Sequence, residues 1–384
     1  MEAIDQKILL LEQEINDERK RLSPDRLDIS FGELINLYKN NELIIRPEYQ
    51  RLYRWSPKQK TALIESILLS IPIPPIFVAE DKNGVWELVD GLQRVATFIS
   101  FFGDLEKNVS EVNYPIDDSD LNDEIEDGEE SLFQESIGNK WALEEGGLIR
   151  SLEGFTIDTL PSNLKINLKR AVCRVEILRG ESSTSMKYEL FKRLNSGGSK
   201  LTPQEIRNAI YRGVNPRLNE MLLSTSQSLI FKYLTQLSTT KLSELYDQEL
   251  VLRFFAFLDN ADNINENTEN FLNRFMDETV RDNEFRYDHY QSLFNEVLEM
   301  INNLEEERIF RNERNLFVPA YFEGITIGLA QNIDNYRYNL PLLKAKIEEL
   351  KGDPDFKKFS GSASNSKSRI KTRLSRANQI FQSI

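Results

Sequence analysis

Between Ser56 and Phe102 the hydrophobic positions change period several times. Ser56 followed by Pro57 and Gln59 reads as an N-cap, a first helical proline and a capping box. Ala62, Leu63, Ile67 and Leu68 then recur at helical spacing. Pro72, Pro74 and Pro75 force extended backbone and stop the helix near Ser70. Ile76–Glu80 reads as a strand, Asp81–Gly84 as a hairpin turn and Val85–Val89 as the returning strand. Asp90-Gly91 breaks it. From Gln93 to Phe102 a helical pattern resumes through Val95, Phe98, Ile99 and Phe102.

Upstream, Ile4, Ile8, Leu11, Ile15 and Leu22 form one apolar stripe at coiled-coil spacing. At about three heptads this helix fits docking on its own domain or a homo-oligomeric contact. Leu27–Ser30 leads into a helix over Phe31–Tyr38, and Ile44-Ile45 into a short strand. Downstream, order resumes at Gly154–Pro161, with a helix over Ser162–Leu168 and a strand over Ala171–Leu178. A Ser183-capped helix ends at Leu194, where Asn195-Ser196-Gly197-Gly198 tolerates left-handed backbone. Thr202-Pro203-Gln204-Glu205 is a second capping box. Asn215 to Leu350 carries mainly helical stripes, whose aromatics Phe254, Phe255, Phe294 and Tyr321 read as core. An amphipathic helix follows from Ile370 to Ile384, after a Gly/Ser-type linker over Ser360–Ser368.

Composition narrows the classes. The 384 residues suffice for two cores. A net charge of −14 argues against broad duplex binding, which needs a basic face. The single cysteine, Cys173, rules out an intramolecular disulfide and suits the cytosol. No apolar run approaches a membrane span. Residues 104–149 change character: Asp117–Glu130 holds nine acids and no base, a solvated insertion. After Asp355 the sign reverses, with seven lysines and arginines and no acid. Its apolar stripe favours docking on the acidic body over a nucleic-acid arm.

The candidate chemistry centres on Val89–Arg94. A strand that opens through Asp-Gly into a helix brings backbone N–H groups to one point, an anion site. Arg94 in the first helical turn opposes the helix dipole, which fits a bound negative group. Gly91 allows a tight turn. Asp90 suits a metal, a hydroxyl or an attacking water. The residues alone favour Asp90 as an N-cap with Arg94 as its surface neighbour. In Arg46–Trp55, Tyr49, Gln50, Arg51, Arg54 and Trp55 read either as a structural plug or as arginines on phosphate and an aromatic on a base. The Asn195 turn, flanked by Arg193, is either a helix stop or a phosphate-facing loop. His289 is the only histidine, so a His-dependent nuclease and a Cys/His zinc site are excluded on this chain. Catalysis would rest on carboxylates, Arg, Gln and a metal such as Mg²⁺.

Taken together, Tyr49-Gln50-Arg51-x-Tyr53-x-Trp55, Pro72–Ile76, Val89–Arg94, Phe191–Gly198 and Leu201–Ala209 resemble the N-terminal domain family of GmrSD-type restriction endonucleases, here without the nuclease domain. Leu92 stands where that family usually has Gln. The resemblance implies an α+β fold: a ParB/sulfiredoxin-like domain over 1–213, carrying the insertion, then a mainly α-helical domain over 214–355 and a basic tail over 356–384. It also implies a module that binds and hydrolyses a nucleoside triphosphate, with Mg²⁺, in a bacterial restriction or anti-phage system. Its nuclease or effector would be a separate chain. Asp90, Gln93 and Arg94 would be catalytic, with Asp90 on Mg²⁺. Gln50, Arg51, Arg54, Gly91, Arg193, Asn195 and Arg207 would bind nucleotide. The rival reading is a non-catalytic DNA-binding or protein-interaction adaptor under nucleotide control.

Overall fold

The computed structural model describes residues 2–20, 24–45, 55–81, 83–105, 140–178, 188–189, 191–193, 201–212, 214–259, 264–306, 308–361 and 366–383. The chain divides into two compact units, Met1–Lys200 and Leu201–Ile384. In the first, α1 (Glu2–Lys20), β1 (Pro24–Ser30), α2 (Phe31–Lys39) and β2 (Leu43–Ile44) precede α3 (Pro57–Leu68). Then come β3 (Ile76–Glu80), β4 (Trp86–Asp90), α4 (Leu92–Phe101), α5 (Ser162–Arg170) and β5 (Val172–Leu178). The five strands form one mixed sheet in the order β1-β5-β3-β4-β2. The β1–β5 and β3–β4 pairs are antiparallel, whereas β3–β5 and β2–β4 are parallel.

Local chemistry explains most boundaries. The Ser56–Gln59 capping box is formed in both directions, at 2.9 and 3.3 Å. Ser30 caps α2 by accepting from Glu33 N at 3.0 Å. In the β3–β4 hairpin, Asp81 Oδ1 accepts from Asn83 N and Val85 N, both at 2.8 Å, and Gly84 takes a φ of 82°. β1 is the strand that apolar patterning does not announce, because Asp25, Arg26 and Asp28 interrupt it. Its partner supplies the reason it forms. Arg26 lies opposite Glu176 and Asp28 opposite Arg174, with ion pairs of 3.0 and 3.2 Å on an exposed edge. Opposite charges directly across a ladder favour that register, although each exposed pair adds little energy.

The core of this unit gathers one face of the sheet with α2, α3 and α4. Phe31 and Phe98 pack with ring centroids 4.4 Å apart, and Ile64, Val78, Ile99 and Val175 are fully buried around them. The expected insertion is shorter than 104–149, since residues 140–149 pack against α3 and α4. Trp141 Nε1 donates to Ser100 Oγ at 3.1 Å, and Leu143 is buried. Buried Glu65 accepts from the backbone N–H groups of Gly147, Leu148 and Ile149 at 3.2, 2.7 and 2.6 Å. The carboxylate thus fills a backbone nest of the kind that elsewhere holds an anion. The acidic run itself lies outside the described residues.

The second unit is helical. It runs through α6 (Pro203–Arg212), α7 (Pro216–Ser226), α8 (Leu229–Thr235), α9 (Thr239–Ser243), α10 (Tyr246–Leu258), α11 (Thr268–Arg281) and α12 (Tyr287–Asn302). It ends with α13 (Pro319–Gln331), α14 (Leu340–Gly352), α15 (Pro354–Ser360) and α16 (Lys367–Gln382). The fold is therefore α+β with a mainly helical second part. Phe254, Phe255 and Phe294 form an aromatic cluster at its centre, each fully buried. The basic tail belongs to this unit. Ile370, Leu374, Ala377, Ile380 and Phe381 of α16 are buried, and α16 packs on α13. Gly328 admits Phe381, whose Cδ2 would stand 2.7 Å from a Cβ there. Arg376 pairs with Asp353 at 2.6 Å, and Arg373 with Glu323.

Candidate functional site

The Asp90 loop is built by three local devices. First, the β3–β4 register slips: Phe77 pairs with Asp90 but Val78 with Leu88, leaving Val89 as an extra residue. Such a bulge re-aims the side chain that follows it. Second, Gly91 has a φ of 98° and is itself the N-cap of α4, with no side chain capping the helix. Asp90 is therefore not the N-cap. A Cβ at Gly91 would stand 2.7 Å from Ile76 Cγ2 and 3.1 Å from Arg94 Nη2, so both conformation and space demand glycine. Third, Arg94 folds back beneath the loop. Its Nη2 donates to Pro75 O and to Asp90 Oδ2, each at 3.1 Å.

These bonds join the sequence blocks. Arg94 ties the proline block to the Asp-Gly loop through Pro75. Gln93 Oε1 accepts from Trp55 N at 3.1 Å, which brings the end of Arg46–Trp55 to the first turn of α4. Three of the blocks thus meet at one helix N-terminus, where the dipole favours an anion. Arg94 Nε is buried with no partner among the described residues. Asp90 and Arg94 keep 38% and 18% of their side-chain surface, so the pair is reachable from solvent. Behind them lies Cys173 of β5. Burial pushes its thiol up to about 12, against the opposing field of Arg94. It is a neutral wall residue, not a thiolate nucleophile.

The remaining candidates fall elsewhere. Gln50, Arg51, Arg54 and Asn195 lie outside the described residues. Arg193 is exposed, 4.0 Å from Glu189. Arg207 is corrected by its surroundings. It belongs to α6 of the helical unit, is fully buried, and donates to Gln204, Asn273 and Glu249 at 2.9, 3.3 and 2.6 Å. Its guanidinium braces α6 against α10 and α11, which is a packing role. Neighbouring Asn208 is likewise buried in an amide network with Gln204, Asn219 and Gln248. Patterning also missed Pro75 O and Trp55 N, because backbone atoms leave no mark in residue identity.

The geometry defines a class: an α+β domain whose bulged strand, left-handed glycine and folded-back arginine present a charged strand-to-helix loop to solvent. Residues 31–212 match the family model described as GmrSD restriction endonuclease, N-terminal domain, and over that span the chain is similar to that family. The match runs from α2 through α6, across the division between the two units. It relates the chain to restriction and defence systems. No curated protein and no solved structure gives a significant match. Among the described residues no helix is long and apolar enough to cross a membrane, and no group of three His, Cys, Asp or Glu residues is arranged to hold a metal.

Proposed function

We propose that the Asp90 loop binds a nucleoside triphosphate and promotes its hydrolysis, as the regulatory module of a restriction or anti-phage system whose nuclease is a separate chain. The convergence of three sequence blocks on the N-terminus of α4, held by Arg94–Pro75 and Gln93–Trp55, carries this reading. Arg94 offers its guanidinium to a phosphate at the positive end of the helix. The buried, unpartnered Nε is a donor left over after Pro75 and Asp90 are served. Gly91 keeps the backbone free of a side chain where the ligand approaches. Gln93 holds Trp55 at the head of α4, and Asp90 positions an attacking water.

A magnesium ion fits this donor set. Mg²⁺ keeps several waters and commonly takes one or two carboxylates plus substrate phosphates, so Asp90 alone suffices on the protein side. The ion would supply charge neutralisation on the phosphates. The rival reading, a DNA-binding adaptor, draws on the basic tail. Two of the tail's seven cations, Arg373 and Arg376, are held by Glu323 and Asp353, which weakens it. Phosphate release from each of the four common ribonucleoside triphosphates, with and without Mg²⁺, tests the proposal. Turnover of at least one, lost in Asp90→Asn, is expected. Binding without turnover would reduce the module to a nucleotide switch, and absence of both would remove the proposal.

A further inference from the structure

α1 is a helix of 19 residues, about 28 Å long. Its residues 7, 8 and 10–17 are all exposed. Ile8, Leu10, Leu11 and Ile15 keep 48%, 57%, 54% and 41% of their surface in solvent. Amphipathic helices gain most of their stability from packing the apolar face. Docking on its own domain, one of the two sequence expectations, is not seen among the described residues: nothing there buries residues 7, 8 or 10–17.

The sequence register says what covers the face. With Ile8 and Ile15 at heptad position a, position d holds Ile4, Leu11 and, in the last turn, Glu18. Isoleucine at a with leucine at d favours a parallel two-stranded coil. The flanking charges agree. Position g holds Lys7 and Glu14, and the following e positions hold Glu12 and Arg19. In a parallel pair each g residue meets the next e residue of the other strand. Lys7 then faces Glu12, and Glu14 faces Arg19, twice over by symmetry. In the antiparallel register that stacks Ile8 on Leu11, Lys7 faces Glu14 but Asp5 faces Glu12 and repels it. A parallel self-pair makes both kinds of flanking contact attractive, the antiparallel one only one of the two, and this complementarity favours a parallel second copy.

We infer that Glu2–Lys20 is a self-association helix, which pairs with the same helix of a second copy of this chain in a parallel coiled coil. So short a coil makes a dimer that dissociates on dilution. The interface is isologous: every contact on one chain recurs on the other. The assembly would carry two Asp90 loops per particle, though the pairing itself requires no nucleotide.

Sedimentation of the full chain over a concentration series tests this. A reversible monomer–dimer equilibrium is expected. Ile8→Asp with Leu11→Asp should raise the dissociation constant by at least about a hundredfold. The melting temperature of the monomer should not move, because neither side chain is buried within its own chain. Lys7→Glu alone should weaken the dimer, and adding Glu12→Lys should restore it. Ile8→Cys should form a self-disulfide under mild oxidation, since a parallel coil stacks each a residue on its own copy. The native Cys173 is buried and will not interfere. A chain that stays monomeric throughout, a dimer indifferent to Ile8→Asp with Leu11→Asp, or an Ile8→Cys chain that fails to cross-link would overturn the inference.

Discussion

Two arginine-rich regions of this molecule carry similar sequence signals and end in opposite physical states. In the helical unit Arg207, Glu249, Arg253, Glu323 and Arg373 form a chain of alternating charge through α6, α10, α13 and α16. Burial alone would push the Glu249 and Glu323 carboxyls up. The guanidiniums of Arg253 and Arg207 on one, and Arg373 and Arg253 on the other, instead hold both below the usual carboxylate range. At the Asp90 loop the charge pair is single and partly exposed; an unpartnered Nε does not separate the two regions, since Arg94 and Arg373 each bury one. Closure of every carboxylate by two guanidiniums marks a packed scaffold. An open pair at a helix N-terminus marks a place to receive something.

That contrast is breakable by substitution. Glu323→Gln should be the most damaging change, because it strands Arg253 and Arg373 beside a neutral amide in the interior. Losing one partner of a buried pair costs roughly 3–5 kcal/mol, and denaturant melts should register it. The same network makes an acid limit. The folded pKa values of Glu249 and Glu323 are depressed, so their stabilisation is present above the ordinary glutamate pKa of about 4.3. It is lost as pH falls through the folded values. Urea midpoints measured downward from pH 6 should fall below that point, and less steeply in Glu323→Gln.

Gly91→Ala comes next. The residue must hold a left-handed φ and press a methyl on Ile76, for roughly 1–3 kcal/mol. Unlike Glu323→Gln, it should also abolish nucleotide binding. At neutral pH the smallest effect belongs to Cys173. With its pKa raised to about 12, its contribution to stability is full below its unfolded value of about 8.5. It is lost as pH rises toward the folded value, at ~1.4 kcal/mol per pH unit in between. Cys173→Ala should flatten the fall in stability over that window. An unchanged slope would show that the thiol ionises normally.

The contrast also explains what residue order could and could not reveal. The capping box at Ser56, the hairpin at Asp81–Gly84 and the glycine at the head of α4 were legible, because each depends on side chains a few positions apart. β1 was not, since its stabilising partners on β5 lie about 150 residues away. The bulge at Val89 was not, because register is a property of two strands. Arg207 was misassigned for a related reason. In Gln204-Glu205-Ile206-Arg207-Asn208 the polar residues look like a solvent face, yet Glu249, Asn273 and Gln248 bury them. The tail helix was legible from its own stripe, while its Glu323 and Asp353 partners were visible only in the fold.

The central claim is that Arg94 stands ready for a phosphate whereas the buried arginines do not. Calorimetric titration of nucleoside triphosphate with Mg²⁺ into the wild type, Arg94→Ala and, as a surface control, Arg174→Ala tests it most directly. A charge-assisted phosphate contact is worth ~1.5–3 kcal/mol, or roughly ten- to a hundredfold in affinity. Arg94→Ala should lose that much in affinity and also some stability, since its guanidinium bonds to Pro75 and Asp90 are each worth up to roughly 1.5–3 kcal/mol, but it should remain folded. Arg174→Ala should bind as the wild type does. Equal affinity in the wild type and Arg94→Ala would contradict the account.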